Sequence, residues 1–261
     1  STTDDPAKEA SQLRVMRAQR VAGVIFIPGG RTQDTATLGP LLRVPTVLLD
    51  RTLTGLDLDS VVLDNVMAGR LATDHLLDQG HRRIAVVAGN SDLALSRERV
   101  AGYRDAMLAR GVPFDEALVA DGGFQSEPSY RATLELLCRR PRPSAFVAAN
   151  NHGTVGVMMA LRDRGLDCPR DVSVVGIDDF TWAEAFSPRL TAVAQPIVAM
   201  GREAARLLLA RCASPDPDGK IAVVLQPRLI VRDSTRRLAV PRRKPLLTRP
   251  YRDGSRSSSI P

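Results

Sequence analysis

Residues Asp171 to Gln195 read DVSVVGIDDFTWAEAFSPRLTAVAQ. The stretch opens on Val172, Val174, Val175 and Ile177, a short apolar run rich in β-branched residues. That composition belongs to a strand buried on both faces of a parallel sheet. The run then stops on two carboxylates, Asp178 and Asp179. Ligands of open α/β sheets sit beyond the carboxyl ends of the strands, so an acid placed there can accept hydrogen bonds from a hydroxylated ligand. Asp178 is read as such an acceptor, with a cap as the alternative. Asp179 fits the cap better, because the helix-compatible segment Phe180 to Phe186 follows it.

Working outward, the same alternation repeats. Asn65 to Gln79 reads as a helix with Ala68, Leu71, Ala72 and Leu76 inward, and Gly80 stops it. Ile84 to Ala88 is a strand broken at Gly89, and Ser96 to Arg110 a helix stopped by Gly111. A strand at Ala117 to Ala120, a helix at Glu127 to Arg139, a strand at Ala145 to Ala149 and a helix from His152 to Arg164, stopped by Gly165, lead into the opening stretch. Strands alternating with helices in this way predict a parallel sheet with right-handed crossovers. Upstream, Pro6 to Gln19 has helical spacing. Val21 to Ile27, Val44 to Leu49 and Ser60 to Leu63 read as strands, with a weak helix at Thr35 to Leu42. Downstream, Thr191 to Gln195 is extended and Pro196 opens a helix to Ala210. A loop over Ser214 to Lys220, a strand at Ile221 to Leu225 and a short one at Arg228 to Val231 follow.

The predicted organisation is therefore α/β, with two sheets. The first lobe takes residues 1–63 plus 194–220, the second 64–193 plus 221–235, and residues 236–261 form a basic disordered tail. The formal charge of +7 lies entirely in that tail: from Arg236 on, eight basic residues face one acid, Asp253. A nucleic-acid-binding face is thus not implied by the charge, and the tail is expected to be dispensable for ligand affinity. An apolar share of 44% supports a real core. No apolar run approaches the roughly 18 residues of a membrane span. The polar start STTDDPAKEASQ is no secretory signal, and Cys138, Cys168 and Cys212 are odd in number and far apart, which fits a reducing cytosol.

Val174-Val175-Gly176-Ile177-Asp178-Asp179, followed by Ser187-Pro188-Arg189-Leu190-Thr191, resembles the effector-binding domain of the lactose-repressor (LacI/GalR) family of bacterial transcription regulators. The resemblance implies a periplasmic-binding-protein type I fold: two doubly wound parallel-sheet lobes joined by multiple crossovers, with the ligand between them. It also implies an incomplete first lobe. The family opens its sensor with a strand, a helix and a second strand before the segment that Pro6 to Gln19 matches, and it carries a helix-turn-helix headpiece ahead of that. On this view the Val21 to Ile27 strand has an unpaired edge.

Further site residues follow from the resemblance. Asp50 matches the family's Leu-Asp-Arg position at a strand end, where a plain turn residue is the alternative. Arg99, in Arg99-Val100-Ala101-Gly102-Tyr103, matches the arginine that reaches into the cleft, and its five donors suit hydroxyls or a carboxylate. Phe124 matches an aromatic at the pocket wall, against the alternative of a core residue. Asn150 matches a ligand-contacting asparagine, leaving Asn151 to cap the next helix. Gln195 lies where the family places a polar cleft residue. Trp182 is placed at the pocket mouth.

Enzyme readings find little support. There is no GxGxxG after a strand, no Walker GxxxxGK[ST] and no GxSxG elbow. His75, His81 and His152 have no metal spacing, and His75 and His81 read as structural. The expected function is the effector-binding, dimerising part of a cytoplasmic LacI-type regulator. It is expected to sense a small sugar-like metabolite, form a homodimer, reach operator DNA only through the absent headpiece, and need no cofactor, metal or membrane. The alternative is a periplasmic sugar-binding component of a transporter, distinguished by an export signal upstream of Ser1. A Rossmann-like enzyme is a third reading, which NAD binding would favour.

Overall fold

A computed structural model describes residues 5–29, 35–214 and 219–238. The chain begins in the first lobe with α1 (Pro6–Ala18), β1 (Val24–Phe26), α2 (Thr35–Leu38), β2 (Thr46–Leu49) and β3 (Asp59–Leu63). It crosses to the second lobe for α3 (Asn65–Asp78), β4 (Ile84–Ala88), α4 (Ala94–Ala109), β5 (Val119–Asp121), α5 (Ser126–Cys138), β6 (Ala145–Ala148), α6 (Asn151–Asp163), β7 (Ser173–Ile177) and β8 (Thr191–Ala194). It returns to the first lobe for α7 (Ile197–Ala213) and β9 (Ala222–Leu225), then crosses again for β10 (Arg228–Ile230). Three crossovers therefore join the lobes.

The first sheet has the order β1-β2-β3-β9 and the second β10-β8-β7-β6-β4-β5. Every pairing is parallel except β10 with β8. Most β-branched strand residues are buried under helices, as a parallel sheet requires, while Ile25 of β1 and Val224 of β9 stay exposed. In the second lobe Val86, Val147, Val175 and Ile177 pack toward α3 and α4, while Val87, Phe146 and Val174 pack toward α5 and α6. In the first lobe Val24, Phe26 and Leu48 meet α1 and α2, and Val47 and Val61 meet Met200, Ala204 and Leu207 of α7.

The helix punctuation follows the sequence. Asp5 accepts from the N–H of Ala7 and Lys8 at the start of α1, and Asp64 accepts from Met67 N–H at the start of α3. Gly80, Gly111 and Gly165 sit at φ +90°, +66° and +63°, the left-handed positions that end α3, α4 and α6. β1 lies at an end of its sheet, with β2 its neighbour among the described residues and Ile25 40% exposed.

Several expectations are corrected. Ile221 to Leu225 belongs to the first lobe, not the second, because β9 pairs in parallel with β3 from Ser60↔Ala222 to Leu63↔Leu225. Buried Asp59 sets that choice: it accepts from Ile221 N–H at 2.8 Å and takes Arg211 of α7 in a two-pronged pair at 2.6 Å each. The segment Phe180 to Phe186 forms one 3-10 turn, Thr181–Ala185, and Asp179 does not cap it. Asn150, not Asn151, caps α6. The tail boundary also moves, since Arg236 N–H donates to Ser173 Oγ and Leu238 N–H to Gln79 O. The remainder of the expected tail, 239–261, lies outside the described residues.

Candidate functional site

The candidate residues lie at or shortly past the carboxyl ends of strands, except Arg99, which lies on α4. Asp50 follows β2 and Asp178 follows β7, the carboxyl ends of strands in opposite lobes. Phe124 follows the loop after β5. These three, with Arg20, are the non-glycine residues at positive φ among those described: +67° at Asp50, +56° at Phe124 and +75° at Asp178. Left-handed backbone costs a non-glycine residue about 1–3 kcal/mol and persists only where the surroundings overdetermine it. Three of these four positions are candidate site residues, one in the first lobe and two in the second.

Charge couples Asp50 to Arg99 and Asp178. Burial raises the Asp50 carboxyl above the ordinary 3.8; the guanidinium groups of Arg99 and Arg51 oppose the shift, and Asp178 adds to it. Asp50 belongs to the first lobe, Arg99 and Asp178 to the second, so their fields overlap across the cleft. Gln195, on the crossover that leaves β8, donates from Nε2 to Asp178 Oδ1 at 2.5 Å.

Arg99 is 4% exposed. Its Nε donates to Asn65 Oδ1 at 2.9 Å and its Nη1 to Ala149 O at 2.5 Å, and the guanidinium lies 5.8 Å from the centroid of the Phe124 ring. Asn150 occupies both ends of its amide: Oδ1 accepts from Gly153 N–H at 2.7 Å, and Nδ2 donates to Phe124 O at 3.1 Å. It thus caps α6 and props the backbone of Phe124. Asn151 Oδ1 accepts from His152 N–H instead.

Four contributors were not singled out from sequence as parts of the site. Asn65, buried at the start of α3, holds Arg99 and donates to Leu63 O and Glu98 Oε2. Gly89 leaves the room that the Phe124 ring fills, since a Cβ there would collide with the ring. Gly69 and Gly102 let α3 and α4 touch backbone to backbone: a Cβ would strike Arg99 O at the first and Val66 O at the second. That close approach sets where Arg99 can reach. The Asp64-Asn65 pair directly after a strand was the available signal for Asn65.

Trp182, 43% exposed, lies tilted against Phe180 at 3.8 Å and stacks on Phe186 at 5.5 Å between ring centroids. His75 bonds Thr235 Oγ1, and buried His81 bonds Ser144 Oγ and Arg236 O, so both are structural. Among the described residues no group of three or more His, Cys, Asp or Glu side chains is arranged to hold a metal ion, and no helix is long and apolar enough to cross a membrane. The converging set offers acceptors (Asp50, Asp178), donors (Arg99, Gln195) and an aromatic face (Phe124). That combination suits a small molecule with several hydroxyls on an apolar ring face.

The periplasmic binding protein-like domain family matches residues 73–235. The chain is 39% identical over 222 residues to the HTH-type transcriptional regulator CelR of Thermobifida fusca, covering 84% of this chain and 65% of that protein. It is 35% identical over 238 residues to the HTH-type transcriptional regulator DegA of Bacillus subtilis (strain 168), covering 90% of this chain and 70% of that one. Among solved structures, a complex of the transcriptional regulator CelR with cellobiose superposes with a TM-score of 0.81 at 37% identity, over 88% of this chain and 71% of that chain. The chain thus spans about two thirds of the length of these curated relatives, which are transcriptional regulators. By fold, matched domain and kinship, the chain belongs to the LacI/GalR family, and the part it contains is the periplasmic-binding-protein-like domain.

Proposed function

We propose that this chain is the effector-sensing, dimerising portion of a cytoplasmic LacI-type transcriptional regulator, and that its effector is a sugar bound between the lobes. The observation that carries the reading is the meeting of Asp50 from one lobe with Arg99, Phe124 and Asp178 from the other, beside Gln195 on a crossover. Two carboxylates accept hydrogen bonds from hydroxyls, Arg99 and Gln195 donate to ring or hydroxyl oxygens, Asn150 lends its remaining amide hydrogen, and Phe124 packs on the C–H face. CelR, a relative of this chain, is solved with cellobiose, which makes a β-linked glucose disaccharide the first compound to try.

Binding residues on both sides of three crossovers convert occupancy into lobe closure, a shift in the population of lobe angles. In a homodimer that shift moves two helix-turn-helix headpieces, which lie outside these 261 residues and supply the contact with operator DNA. The kinship with regulators argues against a transporter component. The test is calorimetric titration of the chain with cellobiose, ribose and NAD. Saturable sugar binding supports the reading, and binding of NAD alone would replace it with an enzyme.

A further inference from the structure

Arg232 lies just past β10 and outside the set of residues assigned to the ligand. Its guanidinium nevertheless holds the loop that carries Asp178 at three points. Nη1 and Nη2 pair with Asp179 Oδ1 and Oδ2 at 2.7 and 3.0 Å, Nη2 reaches Glu184 Oε1 at 3.4 Å, and Nη1 donates to Leu190 O at 2.8 Å. The backbone of Arg232 is itself fixed, because its N–H donates to Thr191 Oγ1 at 2.9 Å. The pair is largely removed from water, with 11% of the Arg232 and 19% of the Asp179 side chain exposed. One cation therefore binds the start, middle and end of the segment 179–190. That segment has one 3-10 turn and no α-helix to hold it in shape.

The residue before Asp179 has an unfavourable backbone. Asp178 sits at φ +75°, held by its N–H to Val193 O at 2.9 Å and by Gln195. A left-handed aspartate drifts to ordinary backbone unless the chain on both sides is anchored. β7 anchors one side and the Arg232–Asp179 pair the other. A forked guanidinium-carboxylate pair fixes direction as well as distance, which a lysine at the same place does not.

We propose that Arg232, acting through Asp179, is the positioning residue that holds Asp178 in its effector-binding conformation; this rests on the sugar-sensing reading above. Arg232 does not touch the effector. Its loss frees the 179–190 loop and weakens binding without dismantling the lobe, whose core lies elsewhere.

The test uses the full chain and two readouts. The only tryptophan, Trp182, lies inside the clamped segment, so acrylamide quenching of its fluorescence reports the loop with no ligand present. Calorimetry with cellobiose reports the site. Arg232→Gln is expected to raise the quenching constant about twofold and to weaken cellobiose binding by about tenfold or more. Arg232→Lys is expected to recover part of both, and Asp179→Asn to reproduce Arg232→Gln, serving in its place should that variant fail to fold. Unchanged quenching overturns the proposal, and so does raised quenching with unchanged cellobiose affinity. Should the unaltered chain take no cellobiose, the choice of sugar fails instead, and quenching alone then decides for or against the clamp.

Discussion

Gln195 Nε2 and Asp178 Oδ1 lie 2.5 Å apart, so the residue that leads the chain out of the second lobe is bonded to the acid at the end of β7. Asp178 therefore has two jobs that substitutions can separate. Asn tolerates the left-handed region and retains an acceptor oxygen, whereas Ala does neither. Asp178→Asn is expected to lower sugar affinity about 10- to 100-fold with the melting temperature nearly unchanged. Asp178→Ala should abolish binding and cost about a further 1 kcal/mol of stability from backbone strain. Calorimetry paired with thermal melts checks both; an unchanged affinity in Asp178→Ala would remove this residue from the site.

Arg99 behaves differently because it is part of the packing. Arg99→Ala strips a buried partner from Asn65 Oδ1 and Ala149 O and leaves a void beside Phe124. The expected cost is about 2–5 kcal/mol in urea unfolding, together with loss of binding. A stable Arg99→Ala variant would show that its bonds are replaceable by water.

Gly89→Ala tests the aromatic wall. The added methyl collides with the Phe124 ring, and the strand end cannot move because β4 pairs on both sides. The ring must yield, and overpacking of this kind costs about 1–3 kcal/mol. Sugar affinity should fall more than stability does, since Phe124 is only partly buried and β4 is core. Equal affinity in the variant would place Phe124 outside the ligand contact.

What could be read in advance divides along the range of the interactions. Val172 to Asp179 carries local signals: a short, β-branched apolar run favours a buried strand, and Asp178 stands at its carboxyl end, where ligands of such sheets bind. Gly80, Gly111 and Gly165 were legible for the same local reason. Gly69, Gly89 and Gly102 were not, because each answers to a partner about 30 or more residues away, which no local pattern encodes. β9 was misplaced because four apolar residues fit either sheet, and Asp59, far upstream, decides between them. Asn150 and Asn151 can both cap a helix, so a one-residue register settled their roles only in three dimensions.

The C-terminal boundary gives a sharper experiment than a bulk deletion. A chain ending after Leu238 keeps the bonds from Arg236 to Ser173, His81 and Pro169 and from Leu238 to Gln79. Ending after Thr235 removes all four and orphans a nitrogen of buried His81. The longer chain is expected to match the full one in sugar affinity, and the shorter to lose about 2–4 kcal/mol of stability. Equal melting of the two would show that residues 236–238 carry no load.

His81 also sets the acid limb of the stability profile. Burial is the main cause that lowers its pKa from 6.5 to about 4, while the bond to Arg236 O opposes the shift. The unfolded chain takes up a proton below pH 6.5 and the folded chain only near pH 4, so the stabilising effect of neutral His81 is complete above pH 6.5 and fades as pH falls. The loss reaches about 2 kcal/mol at pH 5 and about 3 kcal/mol at and below pH 4. His75 is shifted in the same direction by burial and adds to the slope. Asp50, raised by burial, works against it by favouring the folded state as its carboxyl protonates. Asp59 is depressed by its pairing with Arg211, so its share is lost only below pH 3.8, outside this window. Denaturant unfolding at intervals from pH 7.5 to pH 4.5 should therefore show stability falling toward acid, and His81→Gln, less stable at neutral pH, should show a flatter profile. A slope identical in the two proteins would assign the acid limb to other groups.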